Sequence, residues 1–203
     1  MIVILISGRG SNMEALLDAG LPVAAVVSNR AEAKGLKTAA ARGLPVGVVE
    51  HTAFATREAF DAALAAEIDR FEPRLVAMAG FMRVLTPGFV ARFGDRLLNI
   101  HPSLLPAFPG LQTHERALAA GVKLHGCTVH FVTTQLDHGP IVIQAAIRVR
   151  PDDSAATLAA RVLRQEHLIY PRAVSWFLDG RLVIKSGVVS VTGKDAQLVL
   201  APD

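Results

Sequence analysis

The chain has 203 residues, enough to bury the core of one ordinary domain, and half of them (51%) are hydrophobic, which excludes a disordered protein. No apolar run approaches the ~20 residues of a membrane helix, and the formal charge of +3 comes from scattered basic residues, so neither a membrane nor a nucleic-acid partner is expected. Cys127 is the only cysteine, which excludes a disulfide framework within one chain and fits a cytoplasmic location.

Short apolar runs alternate with Ala-rich stretches up to about residue 120. The runs predict strands at 2–6, 22–28, 45–49, 74–79 and 96–100, and the Ala-rich stretches predict helices at 11–19, 31–42, 55–71, 86–93 and 113–120. Continuous Val, Ile and Leu strands that alternate with helices indicate a mostly parallel sheet covered on both faces. The predicted fold is therefore a doubly wound α/β fold, in which ligands bind beyond the carboxyl ends of the strands.

The pattern changes after about residue 122. Strands predicted at 124–133 and 140–149 flank the short turn QLDHGP, and this arrangement is typical of an antiparallel hairpin. A long helix should begin near Asp152, Asp153 and Ser154, which are good N-cap residues, and Pro171 is expected to kink or interrupt it. A small β tail with a turn at Gly193 is expected near the end of the chain.

The first strand runs into a glycine-rich loop, Ser7-Gly8-Arg9-Gly10-Ser11-Asn12, before a helix begins. Glycines allow a ligand to approach the backbone, and the unpaired first amides of a helix suit a phosphate. A dinucleotide site is a second interpretation, but its fingerprint requires glycine where the chain has Met13 and an acid where it has Ser28-Asn29-Arg30. A tight strand-to-helix turn without a ligand is the third.

The segment LLNIHPSLLP contains the strongest signal for chemistry. Asn99 and His101 are two residues apart at the end of a predicted strand, so their side chains should point to the same side. An amide can donate to a developing oxyanion, and an imidazole can give or take a proton near neutral pH. Asp137, in the QLDHGP turn, is a candidate for the carboxylate that favours the imidazolium, although the sequence does not place it beside His101.

Each of these residues also has a structural interpretation. An Asn at a strand end is commonly a turn or cap residue, a lone His is more often structural than catalytic, and an Asp in this kind of turn commonly stabilises the turn itself. His125 and His130, five apart in a predicted strand, should lie on opposite faces, and no other pair of histidines has ligand spacing, so no metal site is expected.

Over residues 1–184 the chain resembles the glycinamide ribonucleotide formyltransferase family. Five segments carry the resemblance in the same order: ISGRGSNMEALLDA, GFMRVLTP, LLNIHPSLLPAFPGLQTHERAL, HGCTVHFVTTQLDHGPIVIQAAI and RQEHLIYPRAVSWF. The resemblance implies one formyltransferase domain over 1–203, with about 1–100 for the nucleotide phosphate, about 101–184 for folate binding and catalysis, and a β tail at about 185–203.

The resemblance also implies a reaction. A formyl group would pass from 10-formyltetrahydrofolate to the amine of glycinamide ribonucleotide, a step of purine synthesis that requires no metal and no covalent enzyme intermediate. Asn99 and protonated His101 would stabilise the oxyanion of the tetrahedral intermediate. Asp137 would favour the imidazolium and help a water relay a proton from the amine to the leaving nitrogen.

Binding roles implied by the resemblance fall into two sets. The ribonucleotide would be held by Gly10, Ser11, Asn12 and Glu166. The folate would be bordered by Arg57, Met82, Arg83, Val84, Leu85 and Asn99, with 82–85 acting largely through backbone groups. His130 resembles a buried neighbour of the active site, while Gln135 and Leu163 depart from the family pattern in the Asp137 loop and near the phosphate.

Other functions remain open from the sequence. A formyltetrahydrofolate deformylase is the nearest alternative, but those enzymes usually carry a domain before the catalytic one, whereas here the first strand of that part begins at Met1. Methionyl-tRNA formyltransferases carry a further C-terminal domain and lack the GSN loop. A binding module without turnover is the third alternative, because a fold alone does not decide function. The sequence is compatible with a monomer or a homodimer.

Overall fold

A computed structural model describes residues 1–201, and its elements alternate as expected for an α/β protein. The first nine are β1 Ile2–Ile6, α1 Ser11–Asp18, β2 Val23–Ser28, α2 Lys34–Ala41, β3 Val46–Val48, α3 Arg57–Asp69, β4 Leu75–Met78, α4 Pro87–Phe93 and β5 Leu97–His101. They are followed by α5 Thr113–Ala119, β6 Leu124–Phe131, β7 Ile141–Arg148, α6 Ala155–Leu178, β8 Leu182–Lys185, β9 Val188–Val191 and β10 Leu198–Leu200. Every strand and helix predicted up to residue 120 is present, with its ends shifted by three residues or fewer.

Residues 1–99 form the first of two compact units. Its strands lie in the order β5-β4-β1-β2-β3, and every neighbouring pair is parallel. All five residues of β1 are buried, as are the four of β4. Strands covered on both faces explain why these segments read as continuous apolar runs, and the mostly parallel α/β sheet predicted from them is confirmed.

The second unit begins at Ile100. Its strands lie in the order β10-β7-β6, where β6 and β7 form the predicted antiparallel hairpin and β10 runs parallel to β7. Strands β8 and β9 form a separate antiparallel pair, and Gly193 lies in the connection from β9 to β10. Helix α6 packs on β6 and β7. The β tail is thus present up to Ala201, and the last two residues of that prediction lie outside the described part. The assignment of one domain to 1–203 stays a prediction.

The expected interruption of the long helix at Pro171 is wrong, whereas the expected kink stays a prediction. Helix α6 runs without a break through Pro171, over the 24 residues Ala155–Leu178 that follow its cap at Ser154. A proline in a helix removes one hydrogen bond and costs about 3 kcal/mol. Large side chains on both sides of it, such as Tyr170 and Val174, are fully buried, and each contributes roughly 1.5–3 kcal/mol. Packing therefore outweighs the local cost and keeps the helix continuous.

Two glycines allow the chain to approach itself closely in the β6–β7 hairpin. A Cβ at Gly126 would lie 1.9 Å from the carbonyl oxygen of Ala145 on the partner strand. A Cβ at Gly139, in the turn, would lie 1.7 Å from the carbonyl oxygen of Phe131. Because the opposing atoms belong to the backbone, neither clash can be relieved by moving a side chain.

We expect Gly126→Ala to lower the free energy of unfolding by about 3 kcal/mol or more, because a strand must shift to admit the methyl group. The matched control is Gly88→Ala, since the only atom near a Cβ there is the Thr86 hydroxyl at 4.0 Å. That variant should be neutral or stabilised by up to ~1 kcal/mol. Urea denaturation measures both, and equal unfolding free energies for the two variants would contradict the close approach.

Candidate active site

Asn99 and His101 lie on the last three residues of β5, as the sequence predicts. Their separation of two residues directs both side chains to one side of the strand. The His101 residue is only 6% exposed, whereas Asn99 is half-buried. An amide and an imidazole are therefore presented side by side where the strand ends.

The turn between β6 and β7 brings Asp137 to His101. The Asp137 Oδ2 atom lies 3.5 Å from His101 Nδ1, and both side chains are 8% exposed. The same oxygen accepts the backbone N–H of Gly110 at 2.8 Å, which fixes the carboxylate in place. Asp137 adopts a left-handed backbone conformation (φ 51°), one that Asp tolerates better than most residues. The structure therefore contains the contact between Asp137 and His101, which the local sequence pattern did not place.

Each nitrogen of the His101 ring faces a hydrogen-bond acceptor. Nε2 lies 3.0 Å from the carbonyl oxygen of Phe108, which only accepts, so Nε2 carries a proton. Nδ1 faces the Asp137 carboxylate, which is also an acceptor. The ring can donate toward both acceptors only with a proton on each nitrogen.

A second histidine, His130, lies on the other side of the same carboxylate. Its Nε2 is 3.9 Å from Asp137 Oδ1, and its Nδ1 donates to the carbonyl of Phe131 at 2.8 Å. The side chain is 2% exposed, and this burial lowers the pKa of His130, although the Phe131 carbonyl and Asp137 act in the opposite direction. A neutral His130 leaves the charge of Asp137 to act on His101.

A buried polar network supports the loop that follows His101. The Thr128 hydroxyl donates to the carbonyl of Ser103 at 2.7 Å and accepts the N–H of Leu105 at 3.1 Å. The Gln144 amide donates to Thr128 Oγ1 and to the carbonyl of Leu105, both at 2.9 Å. These bonds run from β6 and β7 to the loop and so fix the path of the chain toward Phe108.

Several of these groups carry no sequence signal. The Phe108 carbonyl and the Gly110 N–H are backbone atoms, which every non-proline residue has, so residue type does not reveal them. Thr128, on β6, is fully buried, and Gln144, on β7, is half-buried. A polar residue buried in a strand pattern is the one feature that could have drawn attention to them.

The glycine-rich loop enters α1 through Gly10, which has a left-handed backbone (φ 83°) and caps the helix without a side-chain hydrogen bond. Ser11 and Asn12 are the first two helical residues, where backbone N–H groups have no partner within the helix. A Cβ at Gly10 would lie 3.0 Å from the Cα of Gly35, and the Gly35 N–H donates to the carbonyl of Gly8 at 3.0 Å. Close packing against α2 therefore requires glycine at position 10, whether or not a ligand binds.

The predicted folate segment, residues 82–85, lies between β4 and α4 and has no regular secondary structure. Met82 and Val84 are 60% and 56% exposed, whereas Leu85 is buried. The Arg57 guanidinium, expected near the folate tail, donates to the carbonyl of Val84 at 3.0 Å. The structure thus brings Arg57 to this segment, and its contact with a ligand stays a prediction.

Glu166 and the single cysteine occupy the interior of the second unit. Glu166, on α6, is 7% exposed. Burial raises the pKa of the Cys127 thiol, and the nearby Glu166 charge acts in the same direction. A thiol held in its protonated form is a poor nucleophile.

His114 and His125 form a separate pair. His114 Nδ1 lies 3.1 Å from His125 Nε2, with the rings edge to face. Burial lowers the pKa of both residues, and for His125, where the charges of His114 and His101 add to it, the value is about 4. The pair is therefore built to remain uncharged at neutral pH.

Within residues 1–201 no three His, Cys, Asp or Glu side chains are grouped so that they could hold a metal ion. In the same range, no helix combines the length and the apolar character needed to cross a membrane.

A family model described as formyl transferase matches residues 1–174, and the chain belongs to that family. The Escherichia coli (strain K12) protein named phosphoribosylglycinamide formyltransferase is 48% identical over 199 residues, covering 95% of this chain and 94% of the relative. A solved structure of phosphoribosylglycinamide formyltransferase from Coxiella burnetii superposes with a TM-score of 0.92 at 44% identity, covering 99% of this chain and 98% of that one. The family resemblance predicted from the five segments is confirmed.

The alternative enzyme is a more distant neighbour. A formyltetrahydrofolate deformylase from Pseudomonas syringae superposes with a TM-score of 0.87, but at 25% identity and over 65% of its own length, although 94% of this chain is covered. The two named formyltransferases match along nearly their whole length and at higher identity.

The low pKa of His125 makes stability depend on pH in a defined window. Its pKa is about 4 in the folded chain and near 6.5 when unfolded, so between these values the unfolded chain binds a proton that the folded chain does not. As the pH falls from 6.5 to 4, the free energy of unfolding should therefore decrease by up to ~1.4 kcal/mol per pH unit from this group. Above pH 6.5 the titration of His125 should no longer change the free energy of unfolding.

Urea denaturation at several pH values measures this, with His125→Gln as the comparison. The variant removes the titrating group, so its unfolding free energy should decrease less steeply between pH 6.5 and 4 than that of the unmodified chain. Parallel curves for the two proteins would contradict the burial of a neutral His125.

Proposed function

We propose that the chain transfers the formyl group of 10-formyltetrahydrofolate to the amine of glycinamide ribonucleotide, giving the formylated ribonucleotide and tetrahydrofolate. The observation that carries the proposal is the near full-length identity to relatives named for this activity. The contact between His101 and Asp137 supports it, because a charged imidazole beside Asn99 suits the chemistry of formyl transfer. The proposal includes no metal, and a cytoplasmic location stays a prediction.

The proposed reaction begins when the neutral amine attacks the formyl carbon. The carbonyl oxygen becomes an oxyanion, which the Asn99 amide and the His101 imidazolium stabilise by donating hydrogen bonds. Since His101 Nε2 is committed to the Phe108 carbonyl, the Nδ1–H is the donor for the oxyanion. Nδ1 lies 3.5 Å from Asp137 Oδ2, beyond the usual hydrogen-bond range, so in the proposal the carboxylate acts on the imidazolium through its charge and the Nδ1–H donates to the oxyanion.

Asp137 has two roles in the proposal. Its negative charge stabilises the imidazolium, and its second oxygen, Oδ1, accepts from a water that carries a proton from the attacking amine to the leaving nitrogen. The Gly110 N–H, bound to Oδ2, keeps the carboxylate from rotating. When the carbon–nitrogen bond to the folate breaks, the leaving nitrogen takes the relayed proton and the new amide forms.

Binding roles follow the two sets implied by the resemblance. In the proposal Gly10, Ser11 and Asn12 hold the phosphate at the start of α1, where the helix dipole favours an anion, and Glu166 contacts the ribose. The folate is bordered by the backbone of Met82, Arg83, Val84 and Leu85, by Arg57 and by Asn99. The exposure of Met82 and Val84 supports a segment that is accessible to a ligand.

The proposed activity is tested by a spectroscopic assay of tetrahydrofolate formation from 10-formyltetrahydrofolate, with and without glycinamide ribonucleotide. Product that forms only when the ribonucleotide is present supports the transferase. Product without it would identify a deformylase, and no product in either case would identify a binding protein.

In this assay we expect His101→Ala and Asp137→Asn each to lower kcat roughly 100-fold or more, because each removes charge stabilisation that the transition state requires. The matched control is His138→Ala, an exposed residue of the same turn, which should keep its turnover. Circular dichroism checks that all three variants fold. Near-normal kcat in a folded His101 or Asp137 variant would refute the assigned role.

Ser11→Ala and Asn12→Ala should raise the KM for glycinamide ribonucleotide roughly tenfold while changing the KM for 10-formyltetrahydrofolate little, since each removes a donor to the phosphate. Ser190→Ala, at an exposed serine of β9, is the control and should change neither constant. Equal increases in both KM values would contradict the phosphate assignment.

A further inference from the structure

The predicted folate segment, residues 82–85, is followed by Thr86, and from here on the name folate segment covers residues 82–86. These residues depend on other parts of the chain for their position. The segment has no regular secondary structure and so lacks the backbone hydrogen bonds that would fix a strand or helix. If it recognises a ligand through backbone groups, the placement of those groups decides the affinity. The side chains that hold the segment then matter as much as the residues within it.

Three side chains from outside the segment bind its backbone. The Ser7 hydroxyl accepts the N–H of Met82 at 2.8 Å, and the Arg57 guanidinium donates to the carbonyl of Val84 at 3.0 Å. Asp61 Oδ2 accepts the N–H of Thr86 at 2.6 Å. Every second residue of the segment is therefore held, and Arg83 and Leu85 lie between the held positions.

Ser7 is itself fixed. Its hydroxyl proton is donated to Asn29 Oδ1 at 2.5 Å, which leaves the oxygen lone pairs to accept from Met82. Its backbone N–H donates to the carbonyl of Gly80 at 3.2 Å. Ser7 is 7% exposed and Asn29 is 1% exposed, and the Asn29 amide lies 3.1 Å from His51 Nδ1. A single serine at the end of β1 thus ties the folate segment to the end of β2.

Asp61 provides the second fixed point. It lies on α3, one turn after Arg57, so the two side chains share a face of the helix. The residue is 4% exposed, and a buried carboxylate is tolerated only where it accepts hydrogen bonds. Its acceptor role coincides with the start of α4, because Thr86 caps that helix by accepting the N–H of Phe89 at 3.3 Å. Asp61 therefore sets where the segment ends and the helix begins.

We propose that Ser7 and Asp61 are positioning residues, which together with Arg57 hold the backbone of residues 82–86 in the geometry that binds the folate. The inference rests on the proposed function, in which this segment borders the folate. Ser7 and Asp61 touch no reacting atom and act only through the segment. Their loss should therefore affect folate binding more than turnover or ribonucleotide binding.

Steady-state kinetics of Asp61→Ala test the inference. The KM for 10-formyltetrahydrofolate should rise roughly tenfold, while kcat and the KM for the ribonucleotide change less than about twofold, because only the hydrogen bond to Thr86 is lost. Asp61→Asn keeps an acceptor oxygen and should restore most of the affinity. Thr56→Ala is the matched control: it removes another hydrogen bond of α3, from the N–H of Ala59 at 3.1 Å, and should lower the melting temperature without separating the two KM values.

Ser7→Ala provides a second variant, one that removes no charge. It should also raise the folate KM selectively, through loss of the bond to Met82. The inference is overturned if Ser7→Ala and Asp61→Ala both leave the folate KM unchanged. It is also overturned if both variants raise the folate KM and the ribonucleotide KM equally, which is the effect of a general loosening of the fold.

Hydrogen–deuterium exchange separates this inference from the function on which it rests. In the unmodified chain, 10-formyltetrahydrofolate should slow exchange of the amides of residues 82–86. Without folate, these amides should exchange faster in Asp61→Ala than in the unmodified chain. Protection by folate combined with unchanged kinetics in both variants would refute the positioning role alone, whereas no protection would refute the assignment of the segment and the inference with it.

Discussion

The carboxylate of Asp137 is the constraint on which the proposed active site depends. It lies between two imidazoles, those of His101 and His130, and is fixed by the N–H of Gly110. Its position requires a turn in which Asp137 adopts a left-handed backbone and Gly139 passes within contact of the Phe131 carbonyl. The β6–β7 hairpin is thus the element that brings the Asp137 carboxylate to the end of β5.

Two histidines share this carboxylate. His130 donates to the Phe131 carbonyl, and burial lowers its pKa. The His101 nitrogens likewise face a backbone carbonyl, that of Phe108, and the Asp137 carboxylate. The carboxylate lies closer to His101, at 3.5 Å, than to His130, at 3.9 Å, and in the proposed reaction it is the charge of His101 that it stabilises.

Patterns of local sequence predicted the strands of the first unit and the hairpin of the second, because buried parallel strands are continuous apolar runs and a Gly-Pro turn is a local signal. The spacing of Asn99 and His101 likewise predicted that they share one side of β5. The local pattern could not predict the approach of Asp137 to His101, which depends on the register of β6 with β7, and only the family resemblance implied it. At Pro171 the expected interruption of the helix is absent, because the burial of neighbouring side chains, which only the structure reveals, outweighs the local cost of a proline.

Backbone hydrogen-bonding groups orient the proposed catalytic side chains and position the loops around them. The Phe108 carbonyl orients His101, the Gly110 N–H orients Asp137, and residues 82–86 are bound by outside side chains through their own amides and carbonyls. Such groups survive substitution of the side chain, so these loops can diverge in evolution without losing donors or acceptors. Tolerance of this kind is absent at Gly126, Gly139 and Gly35, where the backbone or a core side chain occupies the space of any side chain. Substitutions among related chains should therefore accumulate in the side chains of these loops and be rare at the three glycines.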